Sequence, residues 1–525
     1  MIKMQRYTFG TASIMSICLF FFEERLFDLK NVFSFTVVRN EGLLPLLGWL
    51  LLLMTSLILN IYWFWISLNA KTVQRILLVA LFCFGILIQY GYWNLLHRFF
   101  GPTDIALLGT TSTQSWADSF KLYFSWWGLS ICIPYIFVAF IHRKIQNAGW
   151  RELTTALLGF TVLSIAMVKM DYPHYAGTSF SSSFKSLTGY IIEGSRHKER
   201  RKVDYVSPSS PGNNIVLIID EGIRSDHLEI NGYTRDTIPW LLEIQKNGGL
   251  YTWGTASSGG TCSPLSNHLL ITGIIPSADT FETISAAPTI FDYANAAGYK
   301  SYYFDAQTNY LWNGLTPADT KNIQWINTNT LGNSPENDLK LGAMIHDIIL
   351  NSTGNFILAN KHGVHFMYED SYPESETIWK PLPPDQDYRR YPEFVTNPYD
   401  NGIRYTTNGF FKALLPDAVL PPNTWVIYTS DHGQTLFEDG MGWSHCNYSI
   451  KEASVPLIII GPVSNPPDTS YSASHSNIFP TILDLMKIPS TALYLDYNHS
   501  LLKNGNPHQI RYFIDGASRI VPFDQ

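Results

Sequence analysis

Three short polar segments, far apart in the chain, combine residue types that could bind a metal ion and transfer a charged group. They are Asp220-Glu221 after an apolar run, the Ser/Gly-rich stretch 257–264, and the stretch 429–433 with its Asp431-His432 pair. Carboxylate oxygens and imidazole nitrogens are zinc ligands. A hydroxyl at a glycine turn that opens a helix lies near backbone N–H groups that attract anions. Each segment alone could be a surface turn, but together they predict one catalytic site.

The elements around these segments predict an α/β domain with a largely parallel sheet, because strand-like and helical stretches alternate. Strands are predicted at about 214–219, 300–305, 363–367, 424–429 and 456–461, and helices near 237–246, 263–271, 288–297, 339–350, 403–414 and 477–486. The carboxyl ends of such strands are where ligands and catalytic groups collect. Each polar segment lies at an element end, as that rule requires.

The bulk composition excludes some classes of protein. The chain has 525 residues, a net charge of −7 and five cysteines. The length predicts two or three structural units, the charge gives no case for nucleic acid binding, and the cysteines do not form a disulfide framework. The apolar residues are concentrated in the first third, which predicts a membrane part followed by a soluble part.

Five membrane spans are predicted in residues 1–170. They cover about 7–22, 43–68, 73–92, 121–142 and 153–170, since a spanning helix needs ~20 mainly apolar residues. The basic residues of three segments, one before the first span and two between spans, fall on one side, which is the cytoplasmic side by the positive-inside rule; they are Lys3, Arg6, Lys71, Arg75, Arg143, Lys144 and Arg151. An odd number of spans from a cytoplasmic N-terminus predicts that all later residues are extracytoplasmic.

Residues 171–213 are predicted to link the two parts. Apolar residues at helical spacing, Phe180, Phe184, Leu187, Tyr190, Ile191 and Ile192, predict an amphipathic helix on the membrane surface. The Ser/Pro-rich stretch 207–212 is typical of a domain boundary. Residues 214–525 then form the soluble domain.

Several motifs in one order resemble the phosphoethanolamine transferases of bacterial inner membranes, a branch of the alkaline phosphatase/sulfatase superfamily. They are the stretches 219–226, 231–239, 258–261, 399–406, 430–433 and 474–481, of which Ser430-Asp431-His432-Gly433 is the best single match. The resemblance covers nearly the whole chain. It implies a sulfatase-like catalytic domain in the periplasm of a monomeric, multi-pass inner-membrane protein.

The resemblance also implies roles for individual residues. Glu221, Thr261, Asp431 and His432 would bind one zinc ion, with a second ion left open when substrate is bound. Asp220 aligns with a glycine of the family and becomes a neighbour of the site. Zinc lowers the pKa of a coordinated hydroxyl, so Thr261 would be the nucleophile, and His445 would be the acid for the leaving alcohol.

Substrate contacts are assigned to two groups of residues. Asp305, Gln307 and Asn309 follow a predicted strand, and Arg224, His365 and Asp370 lie in or beside motif segments. The family's Ser-His-Gly-Pro motif is not matched, so its histidine is expected to be missing, with Asp370 in its place. Cys262 and Cys446 follow two predicted site residues and could form a disulfide outside the cytoplasm; two free buried thiols are the alternative.

The function implied is transfer of phosphoethanolamine from phosphatidylethanolamine, through a phospho-threonine intermediate, to a glycolipid or glycan acceptor. That acceptor is lipid A, a core sugar or a periplasmic glucan, and membrane lipids are the other partners. Two alternatives remain open: a sulfatase or phosphodiesterase, and a non-catalytic lipid sensor. Cys262-Ser263-Pro264 begins like the sulfatase Cys-x-Pro-x-Arg motif, but Ser266 replaces its arginine and Thr272-Gly273 comes one residue too late.

Overall fold

The structure, a computed structural model of the full chain, divides into two compact units. Unit 1 is Met1–His197 and unit 2 is Lys198–Gln525. The residues described are 2–22, 43–96, 100–101, 105, 124–141, 148–169, 178–194 and 199–524, the last range without 310, 312, 333, 389, 439–442, 464, 504, 506–509 and 517. Parts of the predicted span 121–142 and of the predicted linker 171–213 lie outside the described residues.

Unit 1 consists of apolar helices at the positions predicted for the spans. They are α1 (Ile2–Phe22), α2 (Leu43–Asn69), α3 (Thr72–Leu96), α4 (Trp126–Ile141) and α5 (Trp150–Lys169), followed by α6 (Ser179–Gly194). Among the described residues, three stretches are long and apolar enough to cross a membrane, namely Leu50–Asn69, Thr72–Trp93 and Trp150–Lys169, whereas Tyr7–Phe21 and Trp126–Ile141 are shorter. The number of five spans therefore stays a prediction.

Helix α6 is the helix expected in the linker, and its first turns are buried against the other helices of unit 1. Phe180 is fully buried, with its ring centroid 4.9 Å from that of Trp63 and 5.3 Å from that of Phe160. Ser181 accepts a hydrogen bond from Ser56 of α2 at 2.9 Å. Part of the apolar face that was predicted to lie on the membrane surface therefore packs between helices.

Unit 2 is built on a seven-stranded sheet. Its strands are β1 (Asn214–Asp220), β2 (Leu250–Ser257), β3 (Lys300–Asp305), β4 (Ile323–Ile326), β5 (Asn355–Asn360), β6 (Thr424–Ser430) and β9 (Ser454–Ile460), in the order β2-β9-β6-β1-β5-β3-β4. Two small antiparallel ribbons join β7 (Thr435–Leu436) to β8 (Trp443–Ser444) and β10 (Tyr512–Ile514) to β11 (Ile520–Pro522). Among these strands of the main sheet, only β9 is antiparallel to both of its neighbours, so the largely parallel sheet is confirmed.

The strand predicted at 363–367 is wrong. The strand of this region is β5, which ends at Asn360, and Gly363 has φ +57°. A left-handed backbone cannot continue a strand. The sequence analysis did not predict strand β5, because its apolar run is only four residues long and is flanked by the polar residues Asn355 and Asn360.

Helices cover both faces of the sheet. They are α7 (Pro239–Lys246), α8 (Ser263–Thr272), α9 (Ile290–Ala296), α10 (Asn337–Asn351), α11 (Thr396–Ile403), a π-helical turn (Arg404–Asn408), α12 (Gly409–Leu414) and α13 (Ile478–Leu485), with one-turn helices at Thr280–Thr283, Thr328–Leu331 and Ile450–Ala453. On one face, Leu217 of β1 belongs to a buried apolar cluster that also contains Phe291 of α9 and Phe479 of α13. On the other face, Phe411 of α12 contacts Tyr428 of β6.

Candidate active site and metal centre

The centre of the site is formed where β1 and β6 end side by side. The two strands pair in parallel, with Asp220 opposite Ser430, and the backbone N–H of Asp431 continues the pairing through a hydrogen bond to the carbonyl of Asp220. Glu221 follows β1 directly, and Asp431-His432 follows β6. Two segments that are distant in sequence therefore meet, because parallel strands carry their carboxyl ends to one edge of the sheet.

Three ligand atoms converge at this edge and are buried. The Nε2 atom of His432 lies 3.3 Å from Oε1 of Glu221 and 3.5 Å from Oδ2 of Asp431. Those two carboxylate oxygens have no hydrogen-bond partner among the described residues. Nδ1 of His432 donates to the carbonyl of Gly433 at 2.7 Å, so Nε2 presents its lone pair toward the carboxylates.

This arrangement fits a zinc ion. In a tetrahedral site with bonds of about 2.0–2.1 Å, ligand atoms are separated by roughly 3.3 Å, which is close to the separation of these atoms. Burial and then the charge of Asp431 raise the pKa of Glu221 well above its usual range. Two buried, unpaired carboxylate oxygens are costly without a cation between them. A further grouping of potential ligand atoms joins Glu221 and His432 to His445.

The hydroxyl that joins this group belongs to Ser263. Its Oγ lies 3.0 Å from Nε2 of His432 and 3.2 Å from Oε2 of Glu221. The hydroxyl of Thr261, expected as a ligand and nucleophile, instead donates to the carbonyl of Asn447 at 2.8 Å. The sequence analysis did not assign Ser263 to the site, although the spacing of the sulfatase motif pointed to it. Thr272-Gly273 comes one residue too late when the distance is counted from Cys262, but not when it is counted from Ser263.

Two histidines lie beside the candidate metal site. The ring of His445 stacks on His432 with centroids 4.2 Å apart, and the ring of His365 lies 6.0 Å from that of His445. Desolvation lowers the pKa of His365 to about 4, so this side chain is neutral near pH 7. The expectation that Asp370 replaces a missing histidine is therefore wrong, since His365 occupies the site and Asp370 is exposed, paired with Gln386.

A disulfide joins Cys262 to Cys446, with Cα atoms 4.7 Å apart. It connects the residue before Ser263 to the residue after His445. The backbone of Cys446 also donates to the carbonyl of Thr261 at 2.8 Å. The turn that carries the hydroxyl and the loop that carries the histidine are therefore fastened to each other at two points.

Asp220 faces away from the candidate metal ligands. Its carboxylate accepts hydrogen bonds from Lys361, Thr407 and Tyr428, all buried. Because side chains alternate along a strand, Glu221 then points to the other side. The prediction that Asp220 is only a neighbour of the site agrees with this geometry.

The predicted substrate residues after β3 have separate roles. Gln307 donates to Oε2 of Glu221 at 3.1 Å and to the carbonyl of Lys361 at 2.8 Å, so it orients this candidate metal ligand. Asp305 is buried and accepts hydrogen bonds from the backbone of Gln307 and Thr308 and from the amide of Asn360. Asn309 is exposed and donates to Asn329.

Arg224 is buried and already paired, so its guanidinium is committed within the protein. It donates to both oxygens of Asp226 and to Glu438. These carboxylates raise the pKa of Arg224 above its ordinary value, against the opposing effect of burial. In this structure Arg224 braces the turn after Glu221.

Motif residues of α11 fasten the same turn. Tyr399 donates to the carbonyl of Gly222 and accepts from the backbone of Arg224. The buried carboxylate of Asp400 is paired with Tyr233 and Arg235 at 2.7 and 2.6 Å. The motifs at 231–239 and 399–406 thus meet in one polar network that positions the segment after β1.

Comparison with known proteins agrees with this architecture. The sulfatase family matches residues 213–488, more than half of the chain, and the chain belongs to that family. A curated relative, the Kdo(2)-lipid A phosphoethanolamine 7''-transferase of Salmonella typhimurium, is 25% identical over 415 residues, covering 71% of this chain and 72% of the relative. The phosphatidylethanolamine transferase Mcr-1 of Escherichia coli is 23% identical over 407 residues, covering 69% and 74%.

Solved structures share the fold. The integral membrane protein lipooligosaccharide phosphoethanolamine transferase A of Neisseria meningitidis superposes with a TM-score of 0.61 at 17% identity, covering 91% of this chain and 95% of that one. The zinc complex of the C-terminal periplasmic domain of EcEptC from Escherichia coli gives 0.52 at 17% identity, covering 62% and 97%. These structures show the fold, and the curated relatives confirm the resemblance to phosphoethanolamine transferases.

Proposed function

We propose that this protein transfers phosphoethanolamine from phosphatidylethanolamine to a hydroxyl or phosphate of an envelope glycolipid or glycan. The observation that carries the proposal is the buried group of Glu221, Asp431 and His432 with a hydroxyl within hydrogen-bond distance. Relatives aligned over about seventy per cent of their length and named as such transferases support the reaction class.

Zinc is the cation that suits this donor set. Glu221, Asp431 and His432 would hold it, with a hydroxyl of the turn before α8 completing the group. When bound, zinc would stabilise negative charge on that hydroxyl and on the phosphoryl oxygens. We also propose that a second ion binds together with the substrate, and that His445 and His365 would be its ligands.

The residues of the chain itself would then perform the transfer in two halves. A hydroxyl of the turn takes phosphoethanolamine from the donor and passes it to the acceptor. The motif resemblance assigns Thr261 to this step, whereas the contacts with Glu221 and His432 favour Ser263. His445, stacked against His432, would supply the proton to the leaving alcohol. The dipole of α8, whose N-terminus starts at this turn, favours the anionic phosphoryl group.

A membrane location suits a lipid donor. The apolar helices of unit 1 support an inner-membrane protein with unit 2 in the periplasm, and the basic residues between the predicted spans support a cytoplasmic N-terminus. We propose five spans, a monomer and a domain boundary between 171 and 213. The acceptor class proposed includes lipid A, core sugars and periplasmic glucans, of which the relatives' names favour lipid A.

The alternatives have less support. A sulfatase that uses a formylglycine made from Cys262 needs that residue free, and Cys262 is joined to Cys446. A non-catalytic lipid sensor predicts that metal ligands have been lost, whereas the ligand set here includes two carboxylates and a histidine.

The test uses the full chain in detergent with a fluorescent phosphatidylethanolamine and Kdo-lipid A. We expect zinc-dependent release of fluorescent diacylglycerol together with a phosphoethanolamine mass increase on the acceptor. A chelator and Glu221→Gln should each abolish both signals. Diacylglycerol release that is the same with and without acceptor, with no acceptor product, would make the protein a hydrolase and overturn the proposal.

A further inference from the structure

A buried lysine lies between two carboxylates where strand β5 ends beside β1. The Nζ atom of Lys361 is 2.5 Å from Oδ2 of Asp220 and 3.7 Å from Oδ2 of Asp338. We infer that Lys361 is a positioning residue of the transfer reaction, which sets the orientation of Glu221 by fixing the loop after β5. The inference rests on the proposed function and concerns a residue that none of the resemblance motifs contains.

The surroundings of Lys361 require its charge and hold its side chain in one place. Lys361, Asp220 and Asp338 are all fully buried, and a buried carboxylate that loses its cation is strongly destabilising. The ammonium group also lies 5.1 Å from the centroid of the Phe410 ring, a distance at which the ring face attracts a cation. The side chain of Lys361 is therefore an anchor for the backbone that carries it.

Asp338 connects this anchor to the residues that follow Lys361. Asp338 lies in the first turn of α10, and its two carboxylate oxygens accept the backbone N–H groups of His362 at 2.8 Å and Gly363 at 3.0 Å. The same carboxylate pairs with the ammonium group of Lys361. The start of the loop is thus fastened to α10 through both side chain and backbone.

The other side of the loop is fastened to the segment that carries Glu221. The N–H of Lys361 donates to the carbonyl of Ile219 at 2.9 Å, and the N–H of Val364 donates to the carbonyl of Glu221 at 3.1 Å. Oδ1 of Asp220 accepts the N–H of Glu221 at 3.0 Å. The loop and the candidate metal ligand therefore share one hydrogen-bonded arrangement, with the pair of Lys361 and Asp220 at its centre.

Gln307 extends this arrangement to the carboxylate of Glu221. Its Nε2 atom donates both to the carbonyl of Lys361 at 2.8 Å and to Oε2 of Glu221 at 3.1 Å. A shift of the Lys361 backbone would therefore move the amide that orients Glu221. Groups that hydrogen-bond to metal ligands set the direction of those ligands, and their loss typically costs about 10–100-fold in metal affinity or activity. Lys361 would thus act through Gln307 and Glu221 without touching the substrate.

The test compares two paired replacements in the full-length protein in detergent. The first, Asp220→Asn with Lys361→Met, removes one charge of each sign and leaves the net charge of the buried group unchanged. The control, Asp319→Asn with Arg200→Met, removes a partly buried ion pair of 2.8 Å that does not involve the candidate ligands. Three quantities are measured: the unfolding temperature without metal, the zinc affinity by competition with a chelator, and kcat and KM for fluorescent phosphatidylethanolamine.

We expect the first double variant to bind zinc at least about tenfold more weakly than the wild type. Its kcat should fall while its KM stays unchanged, because Lys361 does not contact the lipid. Gln307→Met should weaken zinc binding in the wild type and add little to the double variant, because changes that break the same link are not additive. The control should keep the wild-type zinc affinity and kcat, whatever its unfolding temperature.

The outcomes separate this inference from the proposed function. Wild-type zinc affinity and kcat in the first double variant, or an equal loss in the control, would show that Lys361 only supports the fold, and would leave the transferase proposal intact. Absence of zinc binding and of transfer in the wild-type protein overturns the proposed function itself.

A second variant decides the inference if the double variant does not fold. Asp338→Asn keeps the size of the side chain, but its amide oxygen replaces only one of the two oxygens that the loop N–H groups use. We expect weaker zinc binding and a lower kcat in this variant too. Zinc affinity equal to that of the wild type in Asp338→Asn overturns the inference.

Discussion

The buried carboxylate of Glu221 is electrostatically unfavourable in the metal-free site. Its carboxylate is buried, one of its oxygens has no hydrogen-bond partner within the described part of the chain, and burial together with the neighbouring Asp431 raises its pKa. The group is held in place by Ser263 and Gln307 on its other oxygen. The residue is therefore placed for ligand binding at the expense of stability in the metal-free protein.

Replacing this carboxylate should separate metal binding from folding. We expect metal-free Glu221→Gln to unfold at a temperature no lower than wild type, because the variant lacks a buried charge facing Asp431. The rise in unfolding temperature that Zn²⁺ gives the wild type should disappear. Thermal unfolding with and without zinc, together with measurement of bound zinc, tests this. Asp370→Asn, which alters an exposed carboxylate, should keep the zinc effect; an unchanged zinc effect in Glu221→Gln would contradict the ligand assignment.

At the scale of elements, the loop after β5 crosses directly over the end of β1. Gly363 allows this crossing with φ +57°, and a Cβ atom there would lie 2.6 Å from the backbone N and O of Glu221. Lys361, just before it, is buried and paired with Asp220. The crossing loop therefore constrains the position of Glu221, the candidate metal ligand that follows β1.

Gly363→Ala should damage both stability and metal binding. A left-handed residue other than glycine costs about 1–2 kcal/mol, and the close contact with Glu221 adds to this. The control is Gly232→Ala, which has φ +95° but open space around the new Cβ. We expect denaturant unfolding to show the larger loss for Gly363→Ala, and zinc titration to show weaker binding only there. Equal losses in the two variants would mean that the crossing does not constrain the site.

The disulfide should contribute to the stability of unit 2 and to the alignment of its loops. It closes a sequence separation of 184 residues, for which the chain-entropy model gives a stabilisation on the order of 5 kcal/mol, with smaller values common. We expect the double variant Cys262→Ser, Cys446→Ser to unfold at a lower temperature and to transfer phosphoethanolamine more slowly. Cys18→Ser, which changes an exposed free cysteine, is the control. A double variant with wild-type stability and rate would show that hydrogen bonds alone join the two loops.

At the scale of the whole molecule, buried ionisable groups make stability depend on pH. Glu452 is fully buried beneath the loop that follows His445, and its oxygens accept hydrogen bonds from Asn447 and Thr435. Burial raises the pKa of Glu452 to about 8. The carboxyl group of Glu has a pKa of about 4.3 in an unfolded chain. Between that pH and about 8, Glu452 is therefore protonated in the folded protein and ionised in the unfolded chain.

The sign of the effect follows from that difference. The contribution of Glu452 to stability is fully present below about pH 4.3 and is lost as the pH rises through about 8. As the pH rises from about 5 to 8, we expect the unfolding free energy of the wild type to fall relative to that of Glu452→Gln. Thermal unfolding of both proteins across this range measures it. Glu243→Gln, at an exposed position, should show no such trend, and a flat difference for Glu452→Gln would contradict the raised pKa.

Local pattern was sufficient for much of the architecture. The apolar run before Asp220 identified β1, the polar residues after β6 identified Asp431 and His432, and alternation of elements predicted the parallel sheet. Strand β2, at the edge of the sheet, and the four-residue β4 were not predicted, because their partly exposed residues carry a weak apolar signal. Their existence depends on pairing with β9 and β3.

The sequence by itself determined the kinds of ligand, the ends of the strands that carry them and the family resemblance, since these depend on residue type, order and spacing. The tertiary structure decided which neighbours point inward. It turned Ser263 rather than Thr261 toward His432, brought His365 beside His445, and committed Arg224 to carboxylates within the protein. The physical reason is that side-chain direction depends on where helix α8 starts and on which backbone groups lie opposite, and these partners are distant in sequence.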